Sequence, residues 1–241
     1  VGWASTACST PNCSVAALTS FGPALAEGTR TYDHAREMLR NGQQLDESFT
    51  ISSGNEVNRF FLSGSGFGQA GIFGGPNNQY HRYTARINAT HQFTDQLRVG
   101  ANLSFVGTRG GFVMRGSSAS SVVSSALRTP PEFNNLPWLD PISGLHRSAR
   151  FPFPTSTSTV SGRGNDNPFF VINEESNTQN TARTLGNVHA DWAPLRWLSF
   201  TYTLGTDFSA ETRVQGLPQS STAFVTGQVT SFQFNRSQID H

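Results

Sequence analysis

Between Tyr83 and Phe105 the chain alternates with a period of two for longer than an ordinary strand lasts. Tyr83, Ala85, Ile87, Ala89, His91 and Phe93 interleave with Thr84, Arg86, Asn88, Thr90, Gln92 and Thr94. After Asp95-Gln96, Leu97, Val99, Ala101, Leu103 and Phe105 interleave with Arg98, Gly100, Asn102, Ser104 and Val106. Such alternation gives each strand one apolar and one polar face. Soluble strands average ~5–6 residues, whereas a tilted strand of about 10 residues is what a bilayer requires. The hairpin is therefore predicted to form membrane wall.

The rest of the chain is compatible with that wall. Only 14% of the 241 residues are charged and the net charge is +1, which argues against a nucleic-acid partner and against a charged, disordered tail. All 17 basic residues are arginine, for which we have no folding account. No apolar run approaches the ~20 residues of a membrane helix. Cys8 and Cys13 have no nearby His or third Cys, so a local disulfide formed in an oxidising compartment is expected in preference to zinc. With neither an initiating Met nor a signal peptide before Val1, the chain reads as a piece of something longer.

Residues 1–45 are expected to form a loop with a short helix over 32–41, capped by Asp33 and ended by Gly42. Residues 46–241 are expected to form about seven strands. Phe49–Ser53 and Val57–Phe67 precede the hairpin, and Leu185–Trp192, Leu198–Phe208 and a weaker Phe224–Arg236 follow it. Short turns at Asn55, Asp95 and Leu195 alternate with long loops at 68–79, 110–180 and 214–223. This is the asymmetry of transmembrane barrels. Aromatics sit at the predicted wall ends, with Phe93, Trp192 and Trp197 beside short turns and Tyr80, Tyr83, Phe105 and Phe208 nearer long loops. The predicted fold is an antiparallel up-and-down transmembrane β-barrel segment, an open sheet with long extracellular loops. A helix over 118–127 is expected within the longest loop.

Several segments carry a more specific resemblance. Tyr32-Asp33-His34, Arg40-Asn41-Gly42 and Asp46 through Gly54 resemble the barrel entry of SusC/RagA-type TonB-linked outer-membrane receptors. Arg82 through Asn88, with Val99 through Ser104, resembles that family's next hairpin. Asn167-Pro168-Phe169-Phe170, Arg183 to Asp191, Trp197-Leu198 and Leu204 through Phe208 resemble the pair after it. Ser53-Gly54 stands where a Gly-Gly pair is usual, and the TonB box, plug and later strands of the family lie outside these residues. The resemblance implies a barrel of about 22 strands in the bacterial outer membrane, closed by a plug. It also implies active import of glycans or peptides with a SusD-like surface lipoprotein and TonB as partners. A passive porin and a secreted β-sandwich binding module are the competing readings.

No catalytic, metal or cofactor site is expected. Gly66-Phe67-Gly68-Gln69-Ala70-Gly71 matches G-x-G-x-x-G, but Gly74-Gly75-Pro76 follows in place of the required helix. Asp33, His34 and Glu37 read as a solvated helix face, and His189 and Asp191 as lumen lining. Binding chemistry concentrates in the 110–180 loop, where Trp138, Phe151 and Phe153 offer flat apolar faces. Arg115, Arg147, Asp140, Asn134 and Asn135 offer directional polar groups there. Sugars and peptides can both use such a set, and packing of the loop on itself would use it as well.

Overall fold

The computed structural model describes residues 25–116, 120–149, 165–224 and 226–241. Cys8, Cys13, Phe151 and Phe153 lie outside the described residues. Seven strands form one antiparallel sheet in strict sequence order: β1 (Gln43–Gly54), β2 (Asn58–Ala70), β3 (Gln79–Thr94), β4 (Leu97–Gly111), β5 (Ser176–Leu195), β6 (Leu198–Leu217) and β7 (Gln228–Asp240). Short turns join β1 to β2, β3 to β4 and β5 to β6 at one rim, and every long connection lies at the other. The pairing shifts register at Gln92/Thr94 and Trp192/Leu195, both beside short turns. Extra residues there raise the local twist at the rim.

Residues paired across strands share a face, so the register sorts every side chain to one side of the sheet. One face carries rows such as Phe60, Ala89, Ala101, Val188 and Leu204, and next to it Leu62, Ile87, Leu103 and Gly186. Its large side chains stay half-exposed: Ile87 is 45%, Leu103 48%, Val188 50% and Leu204 44% exposed. The other face carries Asn88, Asn102 and Asn187 in one row, with an Asn102 Nδ2–Asn187 Oδ1 hydrogen bond of 2.9 Å. Arg183 Nε donates to Asp207 Oδ1 at 2.9 Å on the same face. The apolar belt ends at rows of aromatics. Trp192 stacks on Phe200 at 5.7 Å near the short turns, and Phe49, Phe105 and Phe208 close the belt eight residues further along β6. That is roughly 25 Å along the strand. Tyr80, expected among these ring-bearing wall ends, instead shares the inner face with Gln69.

The strands run further than their alternation predicted. β5 begins nine residues before Leu185, and β6 continues nine beyond Phe208. Above the belt the residues of these strands are mostly polar or small, Val214 and Leu217 excepted, so hydrophobic periodicity has little to record there.

The core lies in a cap on the long-loop rim. Met38, Val113, Val122, Ala126, Val171 and Ile172 cluster there, with Phe73, Met114 and Phe169 against them. Three short helices frame it: α1 (His34–Glu37), α2 (Val122–Arg128) and α3 (Pro168–Asn173). α1 is shorter than the expected 32–41. Asp33 caps it as anticipated, its Oδ1 accepting from Arg36 N at 3.0 Å, but Leu39 then leaves to bridge Phe73. α2 starts at its Ser121 cap, later than 118. α3 was not anticipated, although Asn167 as N-cap followed by Pro168 at the first helical position signals it.

Candidate functional site

The concave polar face is lined by Arg86, Asn88, Asn102, Arg183, Asn187 and Asp207, among others, around a concavity of about 790 Å³. Above it stands the cap, which contains those described loop residues singled out for binding. The structure draws most of their polar atoms inward to hold the loop. Asp140 Oδ1 accepts from Ile142 N at 2.9 Å and Ser143 N at 2.8 Å, and the Ser143 backbone bond foremost holds its carboxyl below the usual range. Asn134 Oδ1 accepts from Leu136 N at 3.0 Å, closing a tight turn. Arg147 Nη1 donates to Pro137 O at 2.8 Å and its guanidinium lies over Phe133. Trp138 Nε1 donates to Glu174 at 2.9 Å while its ring stacks on Phe169. Asn135 is buried, its Nδ2 donating to His34 Nδ1 at 2.9 Å.

That last bond overturns the reading of His34 as part of a solvated helix face, because it is only 5% exposed. Its Nε2 lies 2.9 Å from Pro130 O, which can only accept, so Nε2 carries a proton, while Nδ1 lies 2.9 Å from Asn135 Nδ2 and 3.2 Å from Glu37 Oε2. The sequence concealed this role because the partner lies 101 residues away. His189 and Asp191 do sit on the inner face, where Thr201 Oγ1 donates to Asp191 at 2.8 Å.

A second polar centre joins two connections of the cap. Asp166 accepts from Thr222 N at 2.7 Å and from the Thr222 hydroxyl, and Ser221 Oγ lies 3.0 Å from it. The same Ser221 oxygen is 3.3 Å from Glu175 Oε1. His146 places Nε2 at 3.4 Å from Asp166 and stacks on Phe170, while its Nδ1 meets Ser220 Oγ at 2.9 Å. Burial first, then the Asp166 charge, pushes the Glu175 carboxyl up to about 9. Burial lowers the His146 pKa against the opposing pull of Asp166. This centre fastens the β6–β7 connection to the β4–β5 connection.

Where wall and cap meet, the inner face holds a cluster that sequence reasoning missed. Arg82 lies over the Phe67 ring at 5.4 Å, and Tyr80 meets Phe67 edge-on at 6.0 Å. Tyr80 faces Gly110 across the ladder, and the Phe112 ring fills the space that a side chain at 110 would take. Gln69, Tyr80, Phe112 and Arg115 border a recess of about 260 Å³. Among the described residues expected to bind, Arg115 alone reaches this cluster. Only the pairing register, which turns Tyr80 inward, could have revealed it.

No family model matches the chain. TonB-dependent receptor P3 of Formosa agariphila is 24% identical over 193 residues, covering 77% of this chain and 17% of that protein. Among solved structures, the RagAB peptide transporter matches with a TM-score of 0.57 and 19% identity, over 86% of this chain and 22% of that one. The RagAB peptide importer in its closed-closed and open-open states matches with TM-scores of 0.59 and 17% identity, over 85% and 22%. The chain thus spans about a fifth of the length of the relatives it matches. With its seven ordered strands and one-sided long loops, it resembles, in sequence and in fold, part of the barrel wall of a TonB-dependent receptor of the SusC/RagA type.

Proposed function

We propose that this chain forms wall and surface cap of an outer-membrane receptor that imports glycans or peptides actively. Outer-membrane lipid would surround it, and a SusD-like lipoprotein and TonB would be its partners. The observation that carries this reading is the sorting of one sheet into an apolar belt bounded by aromatics and a polar concave face, with all long connections at one rim. Such a sheet suits a barrel with lipid outside and water inside. A polar lumen also suits a passive porin, but the sequence and fold likeness to TonB-dependent receptors favours active import. The relatives named by that likeness are receptors and transporters, which supports transport over catalysis.

The test is made on the receptor carrying these strands in a Gram-negative host. The protein is expected in the outer membrane, migrating faster before heating than after. Uptake of its ligand is expected to stop when the proton-motive force is collapsed. Uptake unaffected by that collapse would favour the porin, and recovery in the soluble fraction would overturn both.

A further inference from the structure

The inner-face cluster at the junction of wall and cap has a chemistry that the proposed transport leaves open. Phe67, Tyr80 and Phe112 lie side by side on this face: Tyr80 meets Phe67 edge-on, and the Phe112 ring occupies the space over Gly110 beside Tyr80. A guanidinium stands at Phe67, where Arg82 lies over the ring, and a second, Arg115, lines the recess with Tyr80 and Phe112. Both arginines are exposed, and neither has a hydrogen bond or ion pair to another described residue. The nearby inner-face acids do not neutralise them. Glu211 already takes Arg213 and Gln179, and Asp46, in the same row as Phe67 and Arg82, makes no ion pair with Arg82. The positive charge at this mouth is therefore available to a ligand. A planar guanidinium takes a carboxylate or sulfate through two parallel hydrogen bonds, and an aromatic face takes the C–H surface between such groups.

We infer that this cluster is a binding site for an anionic oligomer, with carboxylate or sulfate groups on Arg82 and Arg115 and its apolar surface on Phe67, Tyr80 and Phe112. The inference rests on the transport reading, since only in a barrel does this face line a mouth. The chemistry is common to acidic sugars and acidic peptides, and the probes separate those sources.

The experiment uses the whole receptor purified in detergent, with binding read by calorimetry. The probes are tetragalacturonate and tetraglutamate, against maltotetraose and tetraalanine. At least one acidic probe is expected to bind more tightly than its neutral counterpart, and more weakly as salt rises. The Arg82→Gln/Arg115→Gln double variant is expected to lose about tenfold or more of that affinity, while Arg196→Gln in the β5–β6 turn retains it. Binding of tetragalacturonate alone assigns the site to acidic sugars, and of tetraglutamate alone to acidic peptides. Failure of both acidic probes to bind, equal binding of the neutral ones, or an equal loss in the Arg196 variant overturns the inference. Heat-dependent migration separates the two levels of failure. An intact barrel indifferent to charge removes only the anionic site, whereas absence of a barrel removes the transport reading with it.

Discussion

Glu175 holds its proton through the neutral range because it is enclosed beside Asp166, where a second negative charge would be unsolvated. In the unfolded chain the same carboxyl ionises near 4.5. The folded cap therefore binds a proton that the unfolded chain has released, and this group's contribution to stability declines as pH rises from about 4.5 to about 9. Glu175→Gln keeps the neutral form and is expected to flatten that decline. Limited proteolysis of the cap loops should find variant and wild type alike at pH 4.5 and the variant more resistant at pH 8. A difference that shrinks as pH rises would contradict the assignment. On the wall, Ala101 lies in the middle row of the belt facing outward, while its neighbour Asn102 faces the lumen and holds Asn187. Ala101→Arg should cost ~2–4 kcal/mol at mid-bilayer depth, and Asn102→Arg far less. Unfolding titrations of the assembled barrel in lipid vesicles would measure both, and equal losses would refute the face assignment.

The β3–β4 hairpin shows what alternation can and cannot reveal about an element. Between Tyr83 and Phe105 the side chains alternate because successive residues face opposite sides of the sheet, one apolar and one polar, and the turn at Asp95-Gln96 is legible with them. Above the belt the two faces no longer differ sharply in polarity, so the first part of β5 and the last part of β6 carry little period to read. The cap was legible only where a local capping signal existed, as at Asp33. His34, Asn135 and Asp166 are tied to residues 55 to 101 positions away, separations that a local pattern does not encode. The same reason explains why the sequence left binding and loop packing both open for Trp138 and Arg147 and named no packing partner. At the β4–β5 pair, a Cβ on Gly186 would come within 2.6 Å of the Asn102 carbonyl oxygen, which is backbone and cannot rotate away. Gly186→Ala is therefore expected to destabilise this pairing by ~1–3 kcal/mol. Gly66→Ala, whose Cβ would meet only the Tyr83 ring at 3.9 Å, should be nearly neutral. Hydrogen exchange along β4 and β5 in the assembled protein reads the difference, and matching protection in both variants would refute it.

Taken whole, the sheet has two unpaired edges, β1 and β7, whose residues are exposed along nearly their whole length. Open edges seek further strands, and an apolar belt with no lipid against it seeks any apolar surface. Residues 1–241 expressed alone are expected to aggregate on removal of denaturant. Size-exclusion chromatography with a thermal melt checks this, and a monodisperse monomer that melts cooperatively would oppose the barrel reading. The overhang of β6 has a different consequence. From Phe208 to Leu217 the strand climbs nine residues past the last aromatic row, roughly 30 Å along its own axis. Paired with β5 over that whole length, it would raise the cap as a stiff collar above the lipid headgroups. Antibodies and phage approaching the cell would meet this collar before the membrane itself. Sequence change driven by immune or viral pressure should then gather in the cap connections, while the belt beneath answers only to lipid.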